Sequence, residues 1–181
     1  MNFAEYNVKD ANLEEILLAL KSLDTVEAVA LGGSRSTGAN DENSDYDIYV
    51  YCAEIPTAET RENLLGKYCS IAEFGNHYWE SEDNTVMNNG IPVDIIYREV
   101  DRFGRYIDTV IKGGKAFNGY TTAFWHNIKN SKVLFDKTGT FTKFRDMAQI
   151  DFPENLRSAI IKNNRNLLNG KLPSYDRQIK K

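Results

Sequence analysis

Cysteine, a basic excess and long apolar runs are all scarce or missing in this chain, and each shortage closes off a class of function. Two cysteines, Cys52 and Cys69, cannot build a disulfide framework, and their spacing is not that of a metal site. Cys52 continues an apolar strand pattern and reads as a small buried hydrophobe. Lys and Arg number 22 against 26 Asp and Glu, for a net charge of −4. A protein that tracks a nucleic-acid backbone gains most of its affinity from neutralised phosphates, so this balance favours small-molecule or protein substrates over polynucleotides. No stretch approaches the roughly 20 apolar residues of a membrane span. The N-terminus shows neither a basic flank nor the apolar run of a signal peptide, so a cytoplasmic location without a membrane partner is the default expectation.

What is present suffices for one ordinary domain with a core: 181 residues, 41% of them hydrophobic. Leu13, Ile16, Leu17, Leu20 and Leu23 form one stripe at helical spacing over 12–23, with Asp10 or Asn12 as the cap. Strands are expected over 26–31, 46–52, 71–79, 91–97 and 132–135, and helices over 57–67, 99–112 and 121–128. Ser81 to Asn84 reads as a turn. From Phe141 the chain turns helical, and Pro153-Glu154 opens a helix running to Asn169, with Leu156, Ile160, Ile161, Leu167 and Leu168 on its apolar side. Strands and helices mix without regular βαβ spacing, which predicts an α+β domain built on a mixed β-sheet flanked by helices. The expected organisation is a catalytic unit over 1–145 and a helical extension over 146–181.

The most informative segment runs from Leu31-Gly32-Gly33-Ser34-Arg35 to Asp45-Tyr46-Asp47. Gly32 and Gly33 permit positive φ and close approach of a ligand. If Ser34 opens a short helix, its hydroxyl and the nearby amides suit an anion, and Arg35 adds a cation with bidentate phosphate geometry. The segment is not a P-loop, because the Gly-Lys-Ser/Thr ending of that motif is absent. In an extended strand Asp45 and Asp47 lie about 6.6 Å apart on one face, with Tyr46 and Ile48 turned to the core. Two like charges on one face repel, and a divalent ion with a preference for oxygen removes that penalty. A solvated strand edge is the plain alternative. Asp94 lies inside the apolar run Ile91-Pro-Val-Asp-Ile-Ile-Tyr97 and needs a partner there, since an unpaired buried carboxylate is costly. Either it joins the other two as the third acid of a two-metal site, or it pairs with Arg98 or Arg102.

Gly32-Gly33-Ser34, ten intervening residues, Asp45-Tyr46-Asp47 and a later strand carrying Asp94 together resemble the polymerase-β-type nucleotidyltransferase superfamily, and within it the minimal bacterial and antibiotic-type enzymes. The resemblance covers roughly residues 12 to 100. It implies the nucleotidyltransferase fold, an NTP co-substrate with ATP the foremost candidate, two Mg²⁺ ions, and transfer of an adenylyl group with release of pyrophosphate. On these positions it implies that Asp45, Asp47 and Asp94 are catalytic and metal-binding. Gly33, Ser34 and Arg35, with Ser44 just ahead of the carboxylate strand, are the candidate nucleotide-binding residues.

The acceptor is not legible in the motif. A small molecule with a hydroxyl leads, with a protein partner of the antitoxin type and a non-catalytic nucleotide-binding module as alternatives. Relatives of this kind commonly continue into a helical domain, so a second subunit completing the acceptor site, or a longer parent chain, is expected. His77, near Trp79, Glu80, Glu82 and Asp83, lies where it could line an acceptor pocket and act as a base, though an exposed hairpin is the plainer reading. His126 beside Trp125 reads as structural.

Overall fold

A computed structural model of the chain describes residues 10–39, 41, 44–78, 80–117 and 121–165. Helix α1 (Ala11–Lys21) begins where Asp10 accepts the amides of Asn12 and Leu13 at 3.0 and 3.3 Å, satisfying donors that a helix start otherwise leaves orphaned. Its Leu13, Ile16, Leu17 and Leu20 are fully buried, as their spacing demands. β1 (Val26–Leu31), the short helix α2 (Gly33–Thr37) and β2 (Tyr46–Cys52) follow. Then come α3 (Ala58–Leu65), capped by the Thr57 hydroxyl, and a single 3-10 turn over Gly66–Tyr68. β3 (Cys69–Asn76), β4 (Ser81–Met87) and β5 (Pro92–Glu99) lead to α4 (Val100–Ile111), α5 (Ala123–Asn130), β6 (Lys132–Asp136) and α6 (Thr140–Ala148). Residues 154–165 form a further helix, α7.

The six strands make one sheet in the order β3-β4-β5-β2-β1-β6. β2 and β5 run parallel and every other neighbouring pair is antiparallel. The sheet is therefore mixed and flanked by helices, as expected for an α+β chain of this pattern. A parallel pair needs a long crossover, and here α3 with the β3–β4 hairpin supplies it.

Each face of the sheet carries its own core. On one side α1 and α3 cover Val29, Leu31, Tyr46, Ile48, Val50, Val93, Ile95, Tyr97 and Met87. On the other, α4, α5, α6 and Leu156 of α7 cover Ala28, Ala30, Tyr49, Tyr51 and Ile96. No residue of β3 or β4 belongs to the second cluster. The helical layer there stops short, and the strand face beyond β5 stays open beside the ends of β2 and β5.

The structure corrects two expectations here. Ser81-Glu-Asp-Asn84 is not a turn but the first half of β4. Its polarity has two causes: Glu82 and Asn84 lie on the open face, and Asp83 on the opposite face is fully buried but paired, its Oδ1 lying 3.0 Å from Arg61 Nη1 and accepting the Gly75 amide at 2.9 Å. Ile161, expected on the apolar side of its helix, is 59% exposed, whereas Leu156 is buried. Leu167, Leu168 and Trp79 fall outside the described residues. Among the described residues no helix is long and apolar enough to cross a membrane.

Candidate active site

The Gly-Gly turn connects β1 to α2, and both glycines are dictated by what lies beneath them. Gly32 donates its amide to the Asp47 carbonyl at 2.8 Å, and a Cβ on it would stand 2.4 Å from the Tyr49 ring. Gly33 has φ +60°, and its Cβ would stand 1.8 Å from Asp47 Oδ2. A side chain at either position would collide, and at Gly33 it would also force the left-handed region. The turn thus lies directly against the carboxylate strand, with Ser34 half-buried in the first turn of α2.

Asp45 and Asp47 arrive from the loop into β2. Because alternate residues share a face, Asp47 points to the same side as Tyr49 and Tyr51, while Tyr46 and Ile48 enter the first core. Asp94 is the direct register partner of Asp47 across the parallel β2–β5 pair. Asp94 Oδ1 accepts from Asn84 Nδ2 at 2.9 Å, and Asn84 Oδ1 accepts from Asn76 Nδ2 at 2.8 Å. A polar row therefore crosses the open face from β2 to β3. The alternative in which Asp94 pairs with Arg98 is overturned. Arg98 donates to Glu80 through Nε at 2.8 Å and Nη2 at 2.7 Å, and to the Tyr51 hydroxyl at 3.2 Å.

Electrostatically the site is strained by its own charge. Burial, then the neighbouring charges of Asp45 and Asp94, push the Asp47 carboxyl up to about 6. Glu82 is also raised, by burial and by Asp94, Glu80 and Asp83. Among the described residues no three His, Cys, Asp or Glu side chains are gathered tightly enough to form a ready-made metal cage. The donor set nonetheless fits a hard divalent cation: oxygen ligands only, with the Asp47 carboxyl raised by burial and by its acidic neighbours, and with Asp45 exposed.

Arg35, expected to meet phosphate, is engaged otherwise. Its Nε donates to the carbonyls of Ser44 and Asp45 at 2.9 and 3.0 Å, its Nη2 also reaches the Ser44 carbonyl, and the guanidinium lies 4.0 Å over the Tyr46 ring. It ties α2 to the loop that delivers the carboxylates. Ser44 belongs to the same brace: its hydroxyl donates to Asp41 Oδ1 at 2.9 Å and accepts the Asp41 amide at 3.0 Å.

One wall of the site was not foreseen. Gly33, Ser34, Ser36 and Thr37 face His126, Asn127, Asn130 and Ser131 across a cleft of about 210 Å³. His126 is not a packing residue; it is exposed at this cleft, on α5. Asn127 donates to the Tyr49 hydroxyl at 2.7 Å, and the Tyr49 ring lies under Gly32, so α5 is tied to the turn through β2. No motif could have found this wall, because about ninety residues of chain separate it from Ser34. His77 lies exposed at the end of β3, outside this cleft.

A nucleotidyltransferase domain model matches residues 13–117. No curated protein matches the chain. Two solved structures similar to it are a toxin–antitoxin with AMP-PNP (16% identity over 94% of this chain and 99% of that one, TM-score 0.44) and an acidic-residue double mutant of the toxin–antitoxin MntA-HpeT (15% identity, 94% and 99% coverage, TM-score 0.42). The match over 13–117 takes in more than half of the chain, with Asp45, Asp47 and Asp94 inside it: the protein belongs to the nucleotidyltransferase domain family and is a nucleotidyltransferase.

Proposed function

We propose that the enzyme transfers an adenylyl group from ATP to a hydroxyl of a small-molecule acceptor and releases pyrophosphate, with Asp45, Asp47 and Asp94 holding Mg²⁺. The observation that carries this reading is the register pairing of Asp47 with Asp94 beneath a glycine turn. When bound, the metal would neutralise triphosphate charge and polarise the α-phosphoryl group. The chain's own groups do the rest. Gly33 and Ser34 present the turn to the phosphates, and Arg35 with Ser44 holds the loop that aims Asp45. Asp94, anchored by Asn84, faces the open side from which an acceptor approaches. As the acceptor oxygen bonds to the α-phosphorus, the bond to the bridging oxygen breaks and its electron pair leaves with pyrophosphate. The acceptor proton passes to a carboxylate of the trio or to water.

The open face bears Glu73, Asn76, Glu82 and Asn84, acids and amides that suit a hydroxyl-rich or cationic small molecule. A second reading, transfer to a protein hydroxyl, draws support from Ile71, 64% exposed on that same face, and Tyr78, 70% exposed beyond the end of β3. We read 1–145 as the catalytic unit and the helix from 154 as an extension packed on it; completion of the acceptor site by a second subunit would appear as a dimer mass in solution.

The decisive experiment supplies Mg²⁺, each NTP and panels of small-molecule and protein acceptors, and follows products. Acceptor-dependent pyrophosphate is expected, with ATP preferred; ADP with phosphate, or no turnover with any pair, would sink the reading. Gly33→Ala is expected to lower the transfer rate about 100-fold, because displacing a reacting group by an ångström costs that much, and to cost about 1–2 kcal/mol of stability through left-handed strain. Thermal melts and pyrophosphate release measure the two effects, and a variant with near-normal turnover would show that the turn tolerates a side chain.

A further inference from the structure

The cleft between α2 and α5 is polar on both walls and, at Gly33, adjoins Asp47. Hydroxyls of Ser34, Ser36, Thr37 and Ser131, amides of Asn127 and Asn130, and the His126 imidazole line it, with no acidic side chain among them. Gly33 belongs to this lining and also lies against Asp47 Oδ2, so the cleft opens directly beside the metal-binding aspartates.

Building on the proposed transfer reaction, which sets the triphosphate at Gly33 and Ser34, we infer that His126 on α5, across the cleft from Ser34, is a phosphate-positioning residue for the β- and γ-phosphates and for departing pyrophosphate. The α5 wall lies beyond the matched span of residues 13–117.

Hydrogen bonding prepares the imidazole for this role. Asn130 Nδ2 lies 3.2 Å from His126 Nδ1 and donates to the His126 carbonyl at 2.8 Å. With Nδ1 taken as acceptor, the proton of a neutral imidazole resides on Nε2, leaving an N–H donor for the ligand.

A helix C-terminus is ordinarily a poor neighbour for an anion, since its last carbonyls carry partial negative charge. Here those carbonyls are largely occupied. Arg145 donates through Nε to the Ile128 carbonyl at 3.3 Å and through Nη2 to the Ser131 carbonyl at 2.5 Å. Asn130 takes the His126 carbonyl, and the Ser131 amide takes that of Asn127 at 2.8 Å. Lys132, next after Ser131, reaches across to donate from Nζ to the Arg35 carbonyl at 3.3 Å. It joins the two walls and leaves a cation at the rim. The Ser36 and Thr37 hydroxyls donate to the Gly33 and Ser34 carbonyls, so the donors facing a triphosphate tail whose α-phosphorus meets Asp47 are the Ser34 hydroxyl and the His126 N–H, with Lys132 as the nearby cation.

The test is binding, read by calorimetry on the full chain with Mg²⁺, using inorganic pyrophosphate, a non-hydrolysable ATP analogue and AMP as probes. His126→Ala is expected to weaken pyrophosphate and the analogue at least about 10-fold, the loss of one hydrogen bond to a charged group, while AMP affinity and the melting temperature stay unchanged. His126→Gln, which restores an N–H at similar reach, should recover affinity to within about 3-fold of the unsubstituted protein. Unchanged pyrophosphate affinity in His126→Ala would overturn the role of His126 and leave the transfer reaction standing. A wild-type protein that binds neither pyrophosphate nor the analogue would overturn both.

Discussion

Asp47→Asn is expected to lower nucleotidyl transfer at least about 10³-fold and, at the same time, to make the protein more stable at pH 7.5. The first effect follows from removing one charge of a trio that must neutralise a triphosphate, a loss comparable to deleting a main electrostatic element of a catalytic site. The second follows from the raised carboxyl. Asp47 has an ordinary value of 3.8 and is pushed to about 6 by burial, then by Asp45 and Asp94. Between those two values the folded protein holds the proton more tightly than the unfolded chain does. Stability therefore falls as pH rises through that window, and the full penalty is present above about 6. Two units correspond to about 3 kcal/mol at most, and solvent screening of a part-exposed group reduces this to about 1 kcal/mol. The asparagine variant should gain that amount at pH 7.5 and nothing at pH 4. Mg²⁺ should raise the melting temperature of the unsubstituted protein and not of the variant. More than a tenth of normal transfer in Asp47→Asn would remove Asp47 from the mechanism, and equal melting temperatures at pH 7.5 would refute the electrostatic strain.

Asp83→Ala should be the most damaging change to stability that leaves the carboxylate trio untouched. Asp83 and Arg61 are 0% and 2% exposed and lie 3.0 Å apart beneath β4, with the guanidinium 4.4 Å over the Tyr97 ring. Removing the acid strands a buried cation, at a cost of about 3–5 kcal/mol, or roughly 10 °C in melting temperature for a chain of this size. The pair is not strongly favourable in itself: burial raises the Asp83 carboxyl despite the Gly75 amide and Arg61, which pull it down. Hence the double variant Arg61→Met with Asp83→Leu should recover most of the lost stability. Urea unfolding of the unsubstituted protein and these two variants measures the loss and its recovery. A loss below about 1 kcal/mol in Asp83→Ala would show that water reaches the stranded arginine.

These two carboxylates mark how far sequence reading reaches. Asp83 looked like part of a turn because Ser-Glu-Asp-Asn is polar throughout, and polarity is the usual signature of exposed loops. It is in fact a strand residue whose charge is neutralised by Arg61, twenty-two positions earlier, and local pattern carries no record of a partner so distant. Asp47 was legible because its chemistry is local: the Gly-Gly turn, the loop and the alternating strand occupy sixteen consecutive residues, 32 to 47. Arg35 lies within that same stretch, yet its role changed. Its guanidinium could satisfy either phosphate or backbone carbonyls, and only the placement of Ser44 and Asp45 brought their carbonyls to it.

By itself the sequence determined the α+β class, the helical stripe of α1 and the strand that carries Asp47, since each is written in short-range periodicity; the three candidate acids came from the spacing of a family motif. Tertiary structure alone decided which strands are neighbours, and so that Asp94 stands in register with Asp47 and leans on Asn84, not Arg98. It also decided that α5 returns to face Ser34 with His126 across a polar cleft. The physical reason is the same in each case. Strand order and helix docking are settled by the burial of two separate cores, one on each face of the sheet, and such long-range burial has no local signature.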